Sequence, residues 1–171
     1  GNMGHQISML CAIQGYKTVC TDINKEILAK AQNFADSYLA GRVEKERLTI
    51  EQAKAARQRI TFTPSMADAV KKADFVIEAV LEILDLKRKI FADLDKMAPA
   101  HAILATNSSA IISSKIADAT KRPEKVLNVH FFNPALVMKL VEVVQGPHVS
   151  DETREISMAL CEKLEKVPVH L

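Results

Sequence analysis

DFVIEAVLEILDLKRKIFADLDKMAPAHAILATN, residues 74–107, holds the pattern that decides the fold. Its two ends, DFVIEAV (74–80) and AILATN (102–107), are short runs rich in apolar and β-branched residues, as expected of strands covered on both faces. Between them, residues 84–97 place their apolar side chains at helical spacing. A strand, a helix and a second strand in succession make a crossover unit, the connection that joins parallel strands.

The same alternation continues on both sides. KTVCTD (17–22), RITFT (59–63), VLNVHFF (126–132) and KLVEVVQ (139–145) read as strands, and 3–15, 24–40, 44–57, 65–72, 113–119 and 150–166 as helices. Asp22 or Asn24, Ser65 and Ser150 stand where side-chain oxygens cap unpaired helix amides. The expectation is an α/β fold, a doubly wound and mostly parallel sheet of the Rossmann type, forming one domain over residues 1–171. Two helices in succession after the first strand make a helical hairpin, about 24–57, inserted into that plan. Four charges at 44–47, with Lys54, Arg57 and Arg59, predict that the hairpin protrudes into solvent, either as a decorated connection or as one that touches a ligand. The chain opens at Gly1 on a glycine-rich turn, so a strand is expected to precede it.

Composition narrows the function. Among 171 residues, 48% are hydrophobic and 26% charged, which is the balance of globular proteins and excludes a disordered or collagen-like chain. No apolar run approaches the roughly 20 residues of a membrane helix. With 23 basic and 21 acidic side chains the net charge is +2, no electrostatic footprint for nucleic acid or an anionic membrane. A small-molecule site is the remaining expectation. Cys11, Cys20 and Cys161 are odd in number and lack CxxC spacing, which argues for buried thiols in a reducing compartment; cytoplasm and mitochondrial matrix both fit.

Three motifs carry chemistry. GNMG (1–4) opens the first helix, and Asp22 ends a strand about 20 residues on, the separation that dinucleotide sites use. There, glycines let the backbone approach a pyrophosphate, the helix N-terminus offers amides, and the acidic residue accepts from the adenine ribose. A carboxylate at that place repels a ribose phosphate, so NAD is favoured over NADP. ATNSS (105–109) and HFFNP (130–134) both end strands, and Glu142 lies in the next strand. A histidine, a carboxylate and a serine on neighbouring strands supply a general base, its orienting partner and a donor to a reacting oxygen, the parts that alcohol oxidation needs. The residues alone also allow plainer roles: Asp22 as a helix cap, His130 as a core histidine, Glu142 as a solvated strand residue, and Asn107 to Ser109 as a turn.

GNMG, TVCTDIN, ADFVIEAVLEILDLK, AILATNSS and KRPEKVLNVHFFNPALVMKLVEVVQG together resemble the NAD-binding domain of the 3-hydroxyacyl-CoA dehydrogenases, in register over almost the whole chain. The resemblance implies that His130 is the catalytic base, that Glu142 pairs with it, and that Ser109 hydrogen-bonds the substrate 3-oxygen. It implies that Gly1, Met3, Gly4 and Asp22 hold the pyrophosphate and adenosine ribose of NAD, that Val80, Leu81, Glu82 and Lys87 approach the cofactor, and that Asn107, Ser109 and Asn133 lie toward its nicotinamide end, with Ser109 and Asn133 also facing substrate. Without it, Glu82 and Lys87 read as exposed helix charges. No metal is implied. Two departures stand out: EILDLK (82–87) has Asp85 where the family commonly has a lysine, and TNSS replaces TNTS. The family also implies a second, helical domain beyond this chain that completes the substrate site and makes a homodimer, with (S)-3-hydroxyacyl-CoA as substrate; short-chain substrates such as 3-hydroxybutyryl-CoA are the first expectation, since the start shows no fused hydratase domain. The rival readings are a two-domain hydroxy-acid dehydrogenase that does not use coenzyme A, and a non-catalytic NAD-binding partner protein.

Overall fold

A computed structural model describes all 171 residues, Gly1–Leu171. They form two compact units, Gly1–Ala69 and Val70–Leu171.

In the first unit, helix α1 (Asn2–Ile13) leads into strand β1 (Thr18–Thr21), helices α2 (Lys25–Glu44) and α3 (Ile50–Arg59), and strand β2 (Ile60–Thr63). β1 and β2 pair in parallel, Thr18 opposite Ile60 and Thr21 opposite Thr63. Asn24 caps α2 by accepting from the Glu26 and Ile27 amides, while Asp22 accepts from the Asn24 amide. α3 starts in a capping box, with Thr49 and Gln52 satisfying each other's backbone amides. The hairpin departs from the expectation of a protruding arm. Leu28, Ala31, Ala35 and Leu39 recur at three- and four-residue spacing and are buried, and α3 packs against both α1 and α2. Arg59 donates to the Ala12 carbonyl at 3.1 Å, fastening α3 to α1. The charged tip, Glu44 to Arg47, is exposed, and so is most of the outer face of both helices, Lys30, Asn33, Asp36 and Lys54 among it. Charge density read correctly for the tip and the outer faces, whereas the small apolar stripe decides the inner one.

The second unit begins within the short helix α4 (Met66–Val70), where Ser65 accepts from the Asp68 amide. Strand β3 (Phe75–Glu78), helix α5 (Leu84–Met97) and strand β4 (Ile103–Thr106) form the expected crossover unit, followed by β5 (Val126–Phe131), β6 (Leu140–Val144), α6 (Asp151–Lys163) and β7 (Val167–His170). The sheet order is β3-β4-β5-β6-β7, parallel throughout except for the antiparallel β5-β6 pair. The α/β class and mostly parallel pairing are as expected; the strands fall into two hydrogen-bonded sets, of two and five strands. All four residues of β4 are buried, as are Val126, Leu127, Val129 and Phe131 of β5. Arg122 closes the lower end of this core. Its guanidinium pairs with Asp95 and donates to carbonyls at the C-terminus of α5, including those of Asp95 and Pro99.

Residues 113–119 do not form the expected helix. Two 3-10 turns, Ser113–Lys115 and Ala117–Ala119, stand there instead. The Asn128 side chain takes the Ser113 amide and donates to the carbonyls of Ser108 and Ile111, binding the segment to β5 in place of helical bonds. β7 was not expected at all. Cys20 and Cys161 are buried and outside any disulfide, whereas Cys11 is half-buried; burial pushes the Cys161 thiol up to about 12.

Candidate active site

The first unit gathers the dinucleotide motif. α1 starts directly after Gly1 with no side-chain cap, leaving its first amides for another acceptor. Met3 and Gly4 lie half-buried in that first turn. The Gly1 nitrogen lies 2.8 Å from Asp22 Oδ2, so the start of α1 and the carboxylate ending β1 are neighbours. Asn24, not Asp22, is the cap of α2; Asp22 supports it by accepting from the Asn24 amide with one oxygen and faces the α1 start with the other.

The second unit gathers the rest at the C-terminal ends of β3, β4 and β5, where open α/β sheets bind ligands, with Glu142 supplied by the antiparallel neighbour β6. Antiparallel pairing sets His130 of β5 directly opposite Glu142 of β6. Their side chains meet on one face, with Nδ1 of His130 3.0 Å from Oε2 of Glu142. A carboxylate only accepts, so Nδ1 carries the proton and donates, and Nε2 is left as the basic nitrogen with no protein partner. The pair is partly open, with side-chain exposures of 17% and 33%, and the Phe132 ring lies 4.7 Å from the imidazole.

The β4 loop is tied to this pair. Asn107 Oδ1 accepts from the Phe131 amide at 2.8 Å, so Asn107 spends its side chain on β5, next to His130. Ser108 is buried, Ser109 exposed beside it, and Asn133 exposed three residues after His130. The structure therefore sets Asn107 next to the His130–Glu142 pair, with Ser109 and Asn133 exposed in the stretches that follow β4 and β5.

Past β3, Val80 and Leu81 are exposed, Leu81 by 70%. Glu82 is exposed, but Lys87 is completely buried. Its ammonium lies 2.8 Å and 3.1 Å from the two oxygens of Glu78 and 3.3 Å from Glu82. Glu78 also accepts from the Val80 amide at 2.6 Å and the Thr106 hydroxyl at 2.7 Å, and Glu82 accepts from the Ser108 hydroxyl at 2.5 Å. Lys87 thus stands behind Glu82 rather than beside it at the surface. Glu78, Thr106 and Ser108 escaped the sequence reading. The signals were a glutamate inside a strand apolar on both faces, which requires a buried partner, and Lys87 falling on the Phe91 and Leu94 stripe of α5, which is the buried one. Asp85, in place of the family's common lysine, sits exposed in the first turn of α5, where a negative charge suits the helix dipole.

A parallel α/β fold, an uncapped helix start facing a strand-end carboxylate, and a histidine–carboxylate pair at the strand ends define a dinucleotide-binding domain of the dehydrogenase type. The chain belongs to the 3-hydroxyacyl-CoA dehydrogenase NAD-binding domain family, whose profile matches residues 1–171. NAD is its cofactor, and the uncapped α1 amides with the Asp22 carboxylate beside them fit a pyrophosphate and a ribose. Among relatives, the chain is 37% identical over 171 residues to a probable 3-hydroxybutyryl-CoA dehydrogenase of Bacillus subtilis, covering 100% of this chain and 59% of that protein. It is 38% identical over 176 residues to the mitochondrial hydroxyacyl-coenzyme A dehydrogenase of Rattus norvegicus, covering 99% and 55%. Among solved structures, the 3-hydroxybutyryl-CoA dehydrogenase of Escherichia coli K12 superposes with a TM-score of 0.96 at 38% identity, over 99% of this chain and 36% of that one. The chain thus spans little more than half the length of the two relatives named first. No helix is long and apolar enough to cross a membrane.

Proposed function

We propose that this chain is the NAD-binding part of an enzyme that interconverts (S)-3-hydroxyacyl-CoA and 3-oxoacyl-CoA, in fatty-acid oxidation or short-chain 3-hydroxybutyryl-CoA metabolism. The observation that carries the reading is the His130–Glu142 pair, 3.0 Å long, with Nε2 unengaged at the strand ends.

In the oxidative direction, Nε2 of His130 takes the proton of the substrate 3-hydroxyl as the C–H bond breaks. NAD, when bound, supplies the acceptor for the departing hydride. Glu142 stabilises the imidazolium that results and fixes the ring through Nδ1, and the exposed Ser109 hydroxyl donates to the 3-oxygen as it becomes a carbonyl. In reduction the proton returns from Nε2. Asn133 faces the nicotinamide end with substrate, while Gly1, Met3, Gly4 and Asp22 hold the pyrophosphate and adenosine ribose. Val80, Leu81 and Glu82 line the cofactor's path after β3, backed by Lys87. The working protein is read as a homodimer in cytoplasm or mitochondrial matrix. The buried thiols of Cys20 and Cys161, outside disulfides, support a reducing compartment, and sedimentation of the full-length protein tests the dimer.

The test of the reaction follows nicotinamide absorbance when full-length protein and NADH meet acetoacetyl-CoA, with free acetoacetate as control. Oxidation with the thioester and none with the acid is expected. Turnover of the acid alone would move the protein to hydroxy-acid chemistry without coenzyme A, and NADH binding without turnover of either would make it a non-catalytic NAD protein.

A further inference from the structure

The geometry points to Glu78 as a positioning residue for the cofactor side of the site: by holding Lys87 it sets the carboxylate of Glu82 and the turn after β3. This inference rests on the NAD reading above.

Glu78 is the last residue of β3, and it bonds to three segments at once. Its carboxylate accepts from the Val80 amide in the turn leaving the strand, from Lys87 in α5, and from the Thr106 hydroxyl at the end of β4. Its own carbonyl accepts from the Asn107 amide at 2.8 Å. Val80 to Glu82 and Asn107 to Ser109, the two stretches placed on the cofactor side, are therefore both moored to one residue that is itself 5% exposed.

The charge balance explains why this mooring has a direction. Two carboxylates, Glu78 and Glu82, share one ammonium. Glu78 is sealed, with 2% of its side chain exposed, whereas Glu82 is 45% exposed. The surplus negative charge therefore rests on the outer member, which faces solvent with Lys87 behind it and the Ser108 hydroxyl at its side. Such a carboxylate is an acceptor for hydroxyl donors of a nucleotide, and its aim depends on where the ammonium sits. If Glu78 no longer accepted from Lys87, the ammonium would have Glu82 as its one remaining counter-charge and would draw it inward. An ordinary buried ion pair would stabilise the fold without that consequence.

Two variants of the full-length protein separate the roles. In Glu78→Gln, the expected result is NADH binding weakened about tenfold, the scale of one lost charge-assisted hydrogen bond, with kcat at saturating NADH changed by less than about threefold. In the double variant Glu78→Gln with Lys87→Met, an apolar chain replaces the unpaired ammonium, so the urea midpoint recovers toward that of the parent protein. NADH binding is expected to stay weak, because Glu82 has still lost the group behind it. The inference is overturned if Glu78→Gln binds NADH as the parent does, or if affinity in the double variant recovers together with the midpoint, since a purely structural role moves both together. Failure of the unaltered protein to bind NADH would overturn both this inference and the NAD reading beneath it.

Discussion

Two pairs of opposite character sit at the strand ends of the same sheet. Lys87 and Glu78 meet at 2.8 Å and His130 and Glu142 at 3.0 Å. They differ in what is left over. Lys87 and Glu78 are sealed from water, and every oxygen of Glu78's carboxylate is engaged, by an ammonium, an amide and a hydroxyl. His130 and Glu142 form one bond in a partly open place and leave a ring nitrogen unspent. A saturated cluster has no capacity to bond a ligand and serves to hold its neighbours still. An unsaturated pair holds one orientation and keeps a reactive atom. The two jobs ask for opposite degrees of satisfaction from similar side chains.

The sharpest break in this contrast is His130→Ala. Removing the unsaturated member is expected to lower kcat with acetoacetyl-CoA and NADH by about 10²- to 10⁴-fold, the range for a general acid–base group, while the urea midpoint moves little. Near-normal turnover would show that the open pair is not reactive. Lys87→Met attacks the sealed pair and should invert the pattern. It leaves a buried carboxylate uncompensated, so unfolding free energy in urea is expected to drop by about 3 kcal/mol or more; an unchanged midpoint would mean that Glu78 is not buried as described. Glu142→Gln tests the orienting half of the open pair. A neutral amide still meets Nδ1 but no longer balances an imidazolium, so kcat should fall roughly 10- to 100-fold with NADH affinity retained. A larger loss of affinity than of kcat would place Glu142 on the cofactor side instead.

Much of this architecture was legible because repeating patterns announce themselves. The β3-α5-β4 unit followed from two apolar runs flanking a helical period, and the structure gives α5 the same bounds, Leu84–Met97. The caps at Asn24, Ser65 and Ser150 were readable since each precedes a helix with an oxygen in reach of its amides. The meeting of His130 with Glu142 required the β5-β6 register, which twelve residues of separation do not reveal. Segment 113–119 misled because the competitor for its backbone groups, Asn128, lies in a different element. Lys87 misled because a lone lysine on a helix is ordinarily at the surface; only its stripe with Phe91 and Leu94, taken with Glu78 nine residues before it, contradicts that. β7 was missed since VPVH is four residues long and contains a proline, which lowers any strand reading except that of an edge strand.

That proline has a further consequence in concentrated solution. The amides of Val167, in β7, and Leu171, just past it, point to β6, donating to the carbonyls of Lys139 and Val143, so by alternation the backbone nitrogen of Pro168 lies on the outer side. A row of unpaired donors and acceptors along a sheet edge invites another chain to add a strand and nucleate aggregates. Of the two outward-facing residues of β7, Pro168 and His170, only His170 keeps an amide, so an incoming strand finds a ladder with one donor missing. The residue that hid the strand from a reader of the sequence also makes it a poor template for a neighbouring molecule.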